Sequence, residues 1–408
     1  MTSRTDVSAA KPVHDFAELS IAISAGLVLA LTTLFVCVVP LSGKIAGSRD
    51  FVVFWGTGQQ LVHHANPYDP AAMGQIERNA GISAGYGTLY MRNPPWALPL
   101  VLPLGLVNLR IGALLWSLAI VACLLASVHL LWQMHGRPEN RLHWLGYAFG
   151  PAMVCILMGQ SSLFALLGYV LFQRMHRTRP FLAGASLWLC ALKPHLFVPF
   201  GVVLLVWALA TRSYRILAGA AVAVAGSCVV AALVDPTVWV DYARMMHAAG
   251  FEKEYVPCLN VVLRLWLRPQ SMWLQYLAPV LASAWALVYF RTRRHAWDWS
   301  RYGGLLVLVS LVAAPYSWVY DGGLAIPALL DGIYVTRSRF LLVVLAIASL
   351  MIEIELVWGI KVASAFYLWT APAWLAWYLL ARASARKPIV ESAVVELESN
   401  AACESHIQ

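Results

Sequence analysis

Four polar positions sit at breaks in long apolar runs, and the chemistry open to them frames the reading of this chain. Asp50 follows the first apolar run directly. A carboxylate there could take a proton from a hydroxyl, or it could simply favour a helix start by ~0.3–1 kcal/mol; the residues leave both open. Lys193, in Lys193-Pro194-His195, interrupts another run. A lysine at the centre of hydrocarbon costs about 2.5–3.5 kcal/mol. It must therefore snorkel to the interface or reach a cavity, where its ammonium would suit a phosphate. Gly159-Gln160-Ser161-Ser162 marks a third break, either a plain helix-ending turn or a place where Gln160 bonds a sugar. The fourth is Pro315-Tyr316-Ser317-Trp318-Val319-Tyr320-Asp321-Gly322. An interfacial aromatic belt accounts for Trp318 and Tyr320 but not for Asp321. Aromatic faces beside hydroxyl and carboxylate groups are also what sugar recognition requires. Tyr90-Met91-Arg92-Asn93-Pro94-Pro95 and the pair Asn260 and Arg264 add polar groups on the same expected side.

The elements that must position these residues are membrane helices. Hydrophobic residues make up 60% of the 408 positions and charged residues 12%, against about 25% charged in soluble proteins. The run 19–41 holds no charged residue, enough at ~1.5 Å per residue to cross a core of about 30 Å. It exceeds a signal-peptide core and is followed by many similar runs, so it reads as a retained span. The net charge of +9 comes largely from short arginine clusters between runs (174–179, 212–215, 291–294, 337–339, 382–387). That is the positive-inside pattern of cytoplasmic loops and excludes a nucleic-acid reading. The seven cysteines are scattered without a Cys-x-x-Cys pair, so neither a disulfide framework nor structural zinc is expected.

These features predict an all-α polytopic protein of about 10–12 spans. Residues 1–18 form a cytoplasmic tail, 19–381 the membrane domain and 382–408 a polar tail. External loops fall at about 42–93 and 235–272, and 51–61 (FVVFWGTGQQL) reads as an interfacial helix with Trp55 at headgroup level. The stretch from Pro94 to Trp132 is either one tilted crossing or several segments divided near 108–110. No HExxH, Walker loop, GxSxG or dinucleotide fingerprint occurs. The chemistry must therefore come from dispersed residues gathered at one membrane face.

Several motifs fall in a familiar order between about residues 19 and 381. They are Asp50-Phe51 with Trp55, then Asn66-Pro67-Tyr68-Asp69; Asn93-Pro94-Pro95; Gly159-Gln160; Ala183-Gly184 with Lys193-Pro194; and Pro315-Tyr316-Ser317-Trp318. In these the chain resembles glycosyltransferase family 87 of the GT-C superfamily, whose characterised members are polyprenyl-phosphate-mannose-dependent α-mannosyltransferases. The resemblance implies Asp50 as the catalytic aspartate, Lys193 facing the phosphate of the sugar donor, and Gln160 with Tyr316, Ser317 and Trp318 along the substrate cavity. Arg92 or Arg264 is expected to aid Lys193 at the phosphate, and the polar groups His195, Asn260, Tyr320 and Asp321, on the same side, are expected to bind substrate. One departure is that members often carry a histidine shortly after the Ser-Trp pair, where this chain has Tyr320-Asp321.

The implied activity is inverting transfer of a hexose, mannose first, from a polyprenyl-phosphate-sugar to a hydroxyl on a lipid or glycan. It would take place at the non-cytoplasmic face of a bacterial plasma membrane. No cofactor and no metal are expected, and membrane lipids are the surroundings. The alternative is a polytopic transporter or lipid flippase, in which Lys, Asp and Gln would line a pathway. Against it, the polar residues collect at one face, and the halves show no symmetry. A third reading is a non-catalytic subunit of envelope assembly.

Overall fold

The computed structural model describes residues 12–41, 49–82, 88–248, 250 and 254–385. Every regular element among them is helical. Ser48, the Arg49 side chain, part of the first expected external loop and most of both expected tails lie outside the described residues.

Helix α1 (Pro12–Leu41) carries the first span. Its Ile23, Leu27, Leu31 and Leu34 recur at helical spacing and are all exposed. An apolar stripe of that length facing outward fits lipid and not water. Next come α2 (Arg49–Val62) and α3 (Pro70–Asn79). A short α4 (Leu98–Val101) is flanked by 3-10 turns, and the long α5 (Leu109–Met134) follows. The 94–132 stretch is therefore divided. Asn108 makes the division, its side-chain oxygen capping α5 by accepting from Ile111 N at 3.0 Å.

The middle of the chain forms α6 (Gly150–Met158), α7 (Ser162–Met175), α8 (Pro180–Cys190), α9 (Val198–Ala210) and α10 (Tyr214–Val234). Two short helices, α11 (Val238–Ala248) and α12 (Leu259–Leu267), occupy the second expected external loop. The remainder is α13 (Trp273–Arg293), α14 (Trp299–Ala313), α15 (Ile326–Val335), α16 (Arg339–Val357) and α17 (Thr370–Ser384). Among the described residues, five helices are long and apolar enough to cross a membrane alone, and several apolar helices of 10–17 residues accompany them. The 10–12 spans expected from apolar runs include both kinds.

The chain alternates direction, so the arginine-rich connections after α7, α9, α13 and α15 lie at one end of the bundle. The Gln160, Lys193 and Asp321 breaks lie at the other. Where α8 crosses α10, Gly184 and Gly219 sit directly against the backbones of Ile216 and Phe181. Any side chain at either position would push the helices apart, and small residues at such crossings let helix backbones pack closely. The contact braces α8, which carries Lys193 at its far end.

Helix α2 is more enclosed than an interfacial helix needs to be. Phe51, Val52, Val53 and Phe54 are all buried, and Trp55 donates its indole N–H to Val107 O at 3.0 Å. The side chain expected at the headgroups is tied to protein backbone, because the 95–107 segment folds back over α2.

Candidate active site

Each polar break owes its position to a local backbone device. Helix α6 ends where Gly159 adopts φ +68°, a left-handed cap. Gln160 N–H then reaches back to Cys155 O at 3.0 Å, and Trp116 clamps the turn by donating to Gly159 O at 2.7 Å. The turn aims Gln160 away from the helix axis and starts α7 at Ser162. At the next break, Pro194 has no N–H to continue α8 and disfavours helical backbone at the residue before it. Lys193 accordingly takes φ −133°. The loose carbonyls at the end of α8 are satisfied from the Asn93-Pro94-Pro95 segment. Asn93 donates to Leu192 O at 2.7 Å and Trp96 to Ala191 O at 2.7 Å. Tyr68 in turn donates to Asn93 O at 3.1 Å, which ties the Asn66-Pro67-Tyr68 motif to the same corner.

The side chains released by these turns form one chain of hydrogen bonds. Gln160 Nε2 donates to Asp50 Oδ2 at 2.8 Å. Lys193 Nζ donates to Gln160 Oε1 at 3.0 Å, to Ser162 Oγ at 2.9 Å and to Asp321 Oδ1 at 2.7 Å. Ser162 Oγ also donates to Asp321 Oδ1 at 2.6 Å, and the second oxygen of Asp321 accepts from Trp318 N at 2.9 Å. Lys193 lies 4.8 Å from the centre of the Tyr320 ring, a cation–π approach. The groups thus run carboxylate, neutral amide, ammonium, carboxylate. The three donors of the lysine ammonium are matched by three protein acceptors.

This network forms one edge of a cavity of about 300 Å³, whose lining includes Arg92, Gln160, Lys193, His195, Tyr316, Trp318, Tyr320 and Asp321. His195 stacks on Tyr316 with ring centres 4.0 Å apart, and Trp318 on Tyr320 at 6.0 Å. The cavity therefore presents aromatic faces beside charged groups. Arg92 forms a two-pronged pair with Glu254. Partial burial works against the Arg92 charge, but the hydrogen bonds and charge of Glu254 outweigh it and hold the guanidinium above its ordinary pKa.

Not every residue expected from sequence reaches this space. Asp50 is one hydrogen bond behind Gln160 and is not part of the lining. Asn260 donates to Ala314 O at 2.7 Å and caps the end of α14. Arg264 is fully buried and holds Gln275 Oε1 at 2.8 Å together with Pro269 O. Ser317 is buried outside the cavity. Asn260 and Arg264 brace the loops that carry the aromatic residues. Ser162 belongs to the third break, although only Gln160 of that break was expected to bind, and Glu254, Tyr242 and Tyr276 were not expected at the site at all. Glu254 is one of four carboxylates in the expected second external loop, with Asp235, Asp241 and Glu252, and nothing in the sequence separates it from the others. Only the fold brings Glu254, Tyr242 and Tyr276 near.

The family model described as Glycosyltransferase family 87 matches residues 90–315, more than half of the chain. The chain belongs to glycosyltransferase family 87. No curated protein and no solved structure matches it. Membership makes the protein a membrane glycosyltransferase and the cavity its candidate active site. The matched region of this family 87 protein contains Arg92, Gln160 and Lys193. Asp50 and Asp321 lie outside it, so their connection to the centre is read from geometry.

The Gly159 turn yields a direct prediction. A Cβ there would stand 2.9 Å from Phe51 Cβ, in a backbone conformation costing an L-residue about 1–2 kcal/mol. Gly159→Ala should displace the start of α2, lowering transferase activity by about tenfold or more while costing ~1–3 kcal/mol of stability. Activity and thermal unfolding of the purified protein check this together.

Proposed function

We propose that the protein transfers a hexose, with mannose the first candidate, from a polyprenyl-phosphate-sugar to an acceptor hydroxyl, inverting the anomeric centre at the non-cytoplasmic face. The observation that carries this reading is the Gln160 amide, held between the Asp50 carboxylate and the Lys193 ammonium at the edge of an aromatic-lined cavity. A general base needs a carboxylate fixed near the attacking hydroxyl, and an anionic leaving group needs positive charge nearby.

In the proposed step the acceptor hydroxyl enters at the Gln160 edge of the cavity, beyond its lining, and Asp50 there takes its proton as that oxygen attacks the anomeric carbon. The bond from that carbon to the phosphate oxygen breaks, and the lipid phosphate leaves with the electron pair. A single displacement turns a β-linked donor into an α-linked product. Sidedness rests on the arginine-rich connections, which lie at the opposite end of the bundle from the cavity.

The sugar donor's phosphate must compete for positive charge, because Lys193 and Arg92 are both paired with carboxylates. The two pairs differ in burial. Side-chain exposure is 10% and 1% for Lys193–Asp321, but 32% and 35% for Arg92–Glu254. Exchange of carboxylate for phosphate is therefore easier at Arg92. Arg92→Gln should raise the KM for the lipid-phosphate sugar about tenfold to a hundredfold, the worth of a charged hydrogen bond at about 1.5–3 kcal/mol. Glu254→Gln should lower it. Steady-state kinetics with varied sugar donor distinguish these outcomes.

The function itself is tested by supplying the purified protein in lipid with polyprenyl-phosphate-mannose and extracted envelope glycolipids. The expected product carries one additional α-linked mannose. If no glycoside forms from any polyprenyl-phosphate hexose, the proposed sugar donor class is wrong.

A further inference from the structure

A second cavity lies at the other end of the bundle, and the transfer reaction does not use it. Its volume is about 670 Å³, more than twice that of the first, and it opens between the ends of α5, α7, α15 and α17 and the start of α14. Helix α7 separates the two spaces. Ser162 at its start belongs to the Lys193 network, and Gln173 and Arg174 in its last turn line the second cavity. Its 14 residues span about 21 Å, so a group in one cavity cannot touch the reacting atoms in the other.

The charges of this cavity do not cancel. Asp298 is paired with Arg177 at 3.1 Å. Asp331 is held by Arg382 at 3.3 Å and by the Tyr378 hydroxyl at 3.1 Å. Both carboxylates are thus matched, while Arg174 and Arg301 line the space without a salt bridge of their own among the described residues, the charge of Arg301 acting on Asp331 from beyond contact distance. A second, independent feature is Gln173. It is buried to 5% exposure, and its Nε2 donates to Trp299 O at 3.1 Å. Its Oε1, however, has no hydrogen-bond partner. A buried amide oxygen left unmatched costs about 1–3 kcal/mol, and a ligand hydroxyl would relieve that cost.

We infer that this cavity binds a phosphate ester carrying free hydroxyl groups, with Arg174 and Arg301 taking the phosphate and Gln173 Oε1 accepting from a ligand hydroxyl. The ligand is anionic because the arginines that line the space are cationic, and it carries a hydroxyl because the unmatched Gln173 oxygen is an acceptor in need of a donor. A phospholipid headgroup and a free polyol phosphate share this chemistry.

The test uses the full chain in neutral detergent and measures saturable binding by native mass spectrometry and thermal shift. Phosphatidylglycerol is compared with phosphatidylethanol, which has the same charge and no headgroup hydroxyl. Glycerol 3-phosphate is compared with inorganic phosphate. One saturable site is expected, with the hydroxylated probe favoured about tenfold (~1.4 kcal/mol). Binding of the lipid alone identifies a headgroup site, and binding of glycerol 3-phosphate identifies a soluble ester. The double variant Arg174→Gln/Arg301→Gln alters exposed side chains and should lose binding tenfold or more. Gln173→Leu should abolish the preference for hydroxyls while retaining anion binding. No saturable binding of either class, or binding indifferent to the arginine replacements, overturns the inference.

Discussion

Asp50→Asn should reduce the rate of sugar transfer about 10²–10⁴-fold, the usual contribution of a positioned general base. Asparagine keeps an oxygen that can accept from Gln160 Nε2, which now bonds Asp50 at 2.8 Å, so the start of α2 should stay in place. The loss should therefore appear in kcat, with the KM for the sugar donor within about threefold of the original, as expected when a group acts in the transition state and not in binding. Purified variant and parent, supplied with the same polyprenyl-phosphate-sugar, provide the comparison. Activity within tenfold of the parent would remove Asp50 from the chemistry and leave it as a helix-start carboxylate.

The second large effect is on stability. Asp321 is 1% exposed and is the carboxylate partner of Lys193. Removing one member of a buried pair strands the other charge, which typically costs about 3–5 kcal/mol. Asp321→Ala and Lys193→Met should each lower the thermal midpoint in detergent sharply. The double variant Lys193→Met/Asp321→Leu should recover much of that loss, because replacing both charges by apolar groups removes the stranded one. Recovery of fold should not bring back transfer, because Gln160 loses the ammonium that fixes its oxygen. Additive losses in the double variant would show that the two charges do not depend on one another.

The Gly159→Ala and Arg92/Glu254 variants probe the same centre from its scaffold and from its rim. The first tests whether the turn that aims Gln160 must also leave room for Phe51. The second tests whether the more exposed ion pair opens to the sugar donor's phosphate. Neither depends on the second cavity, whose ligand is read out by binding alone.

Composition and periodicity were enough to establish a helical membrane protein, because long runs without charge have no other stable home. They also showed that Asp50, Gln160, Lys193 and Asp321 needed an explanation, since polar groups at breaks in apolar runs carry a cost wherever they stand. The ordered motifs pointed to the family that the 90–315 match shows. What sequence could not supply was partnership. Lys193 and Asp321 are 128 positions apart, and no local rule says that the ends of α8 and α14 meet. Arg264 and Asn260 looked like site residues because charge and polarity are visible in sequence, whereas burial under a loop is not. Arg264 is spent on Gln275 and Pro269, and Asn260 on the end of α14. Only the tertiary structure decided which cations face the cavity and which hold its walls. The physical reason is that a charged side chain's role is set by the acceptors within about 3 Å of it, and those come from elements distant in the chain.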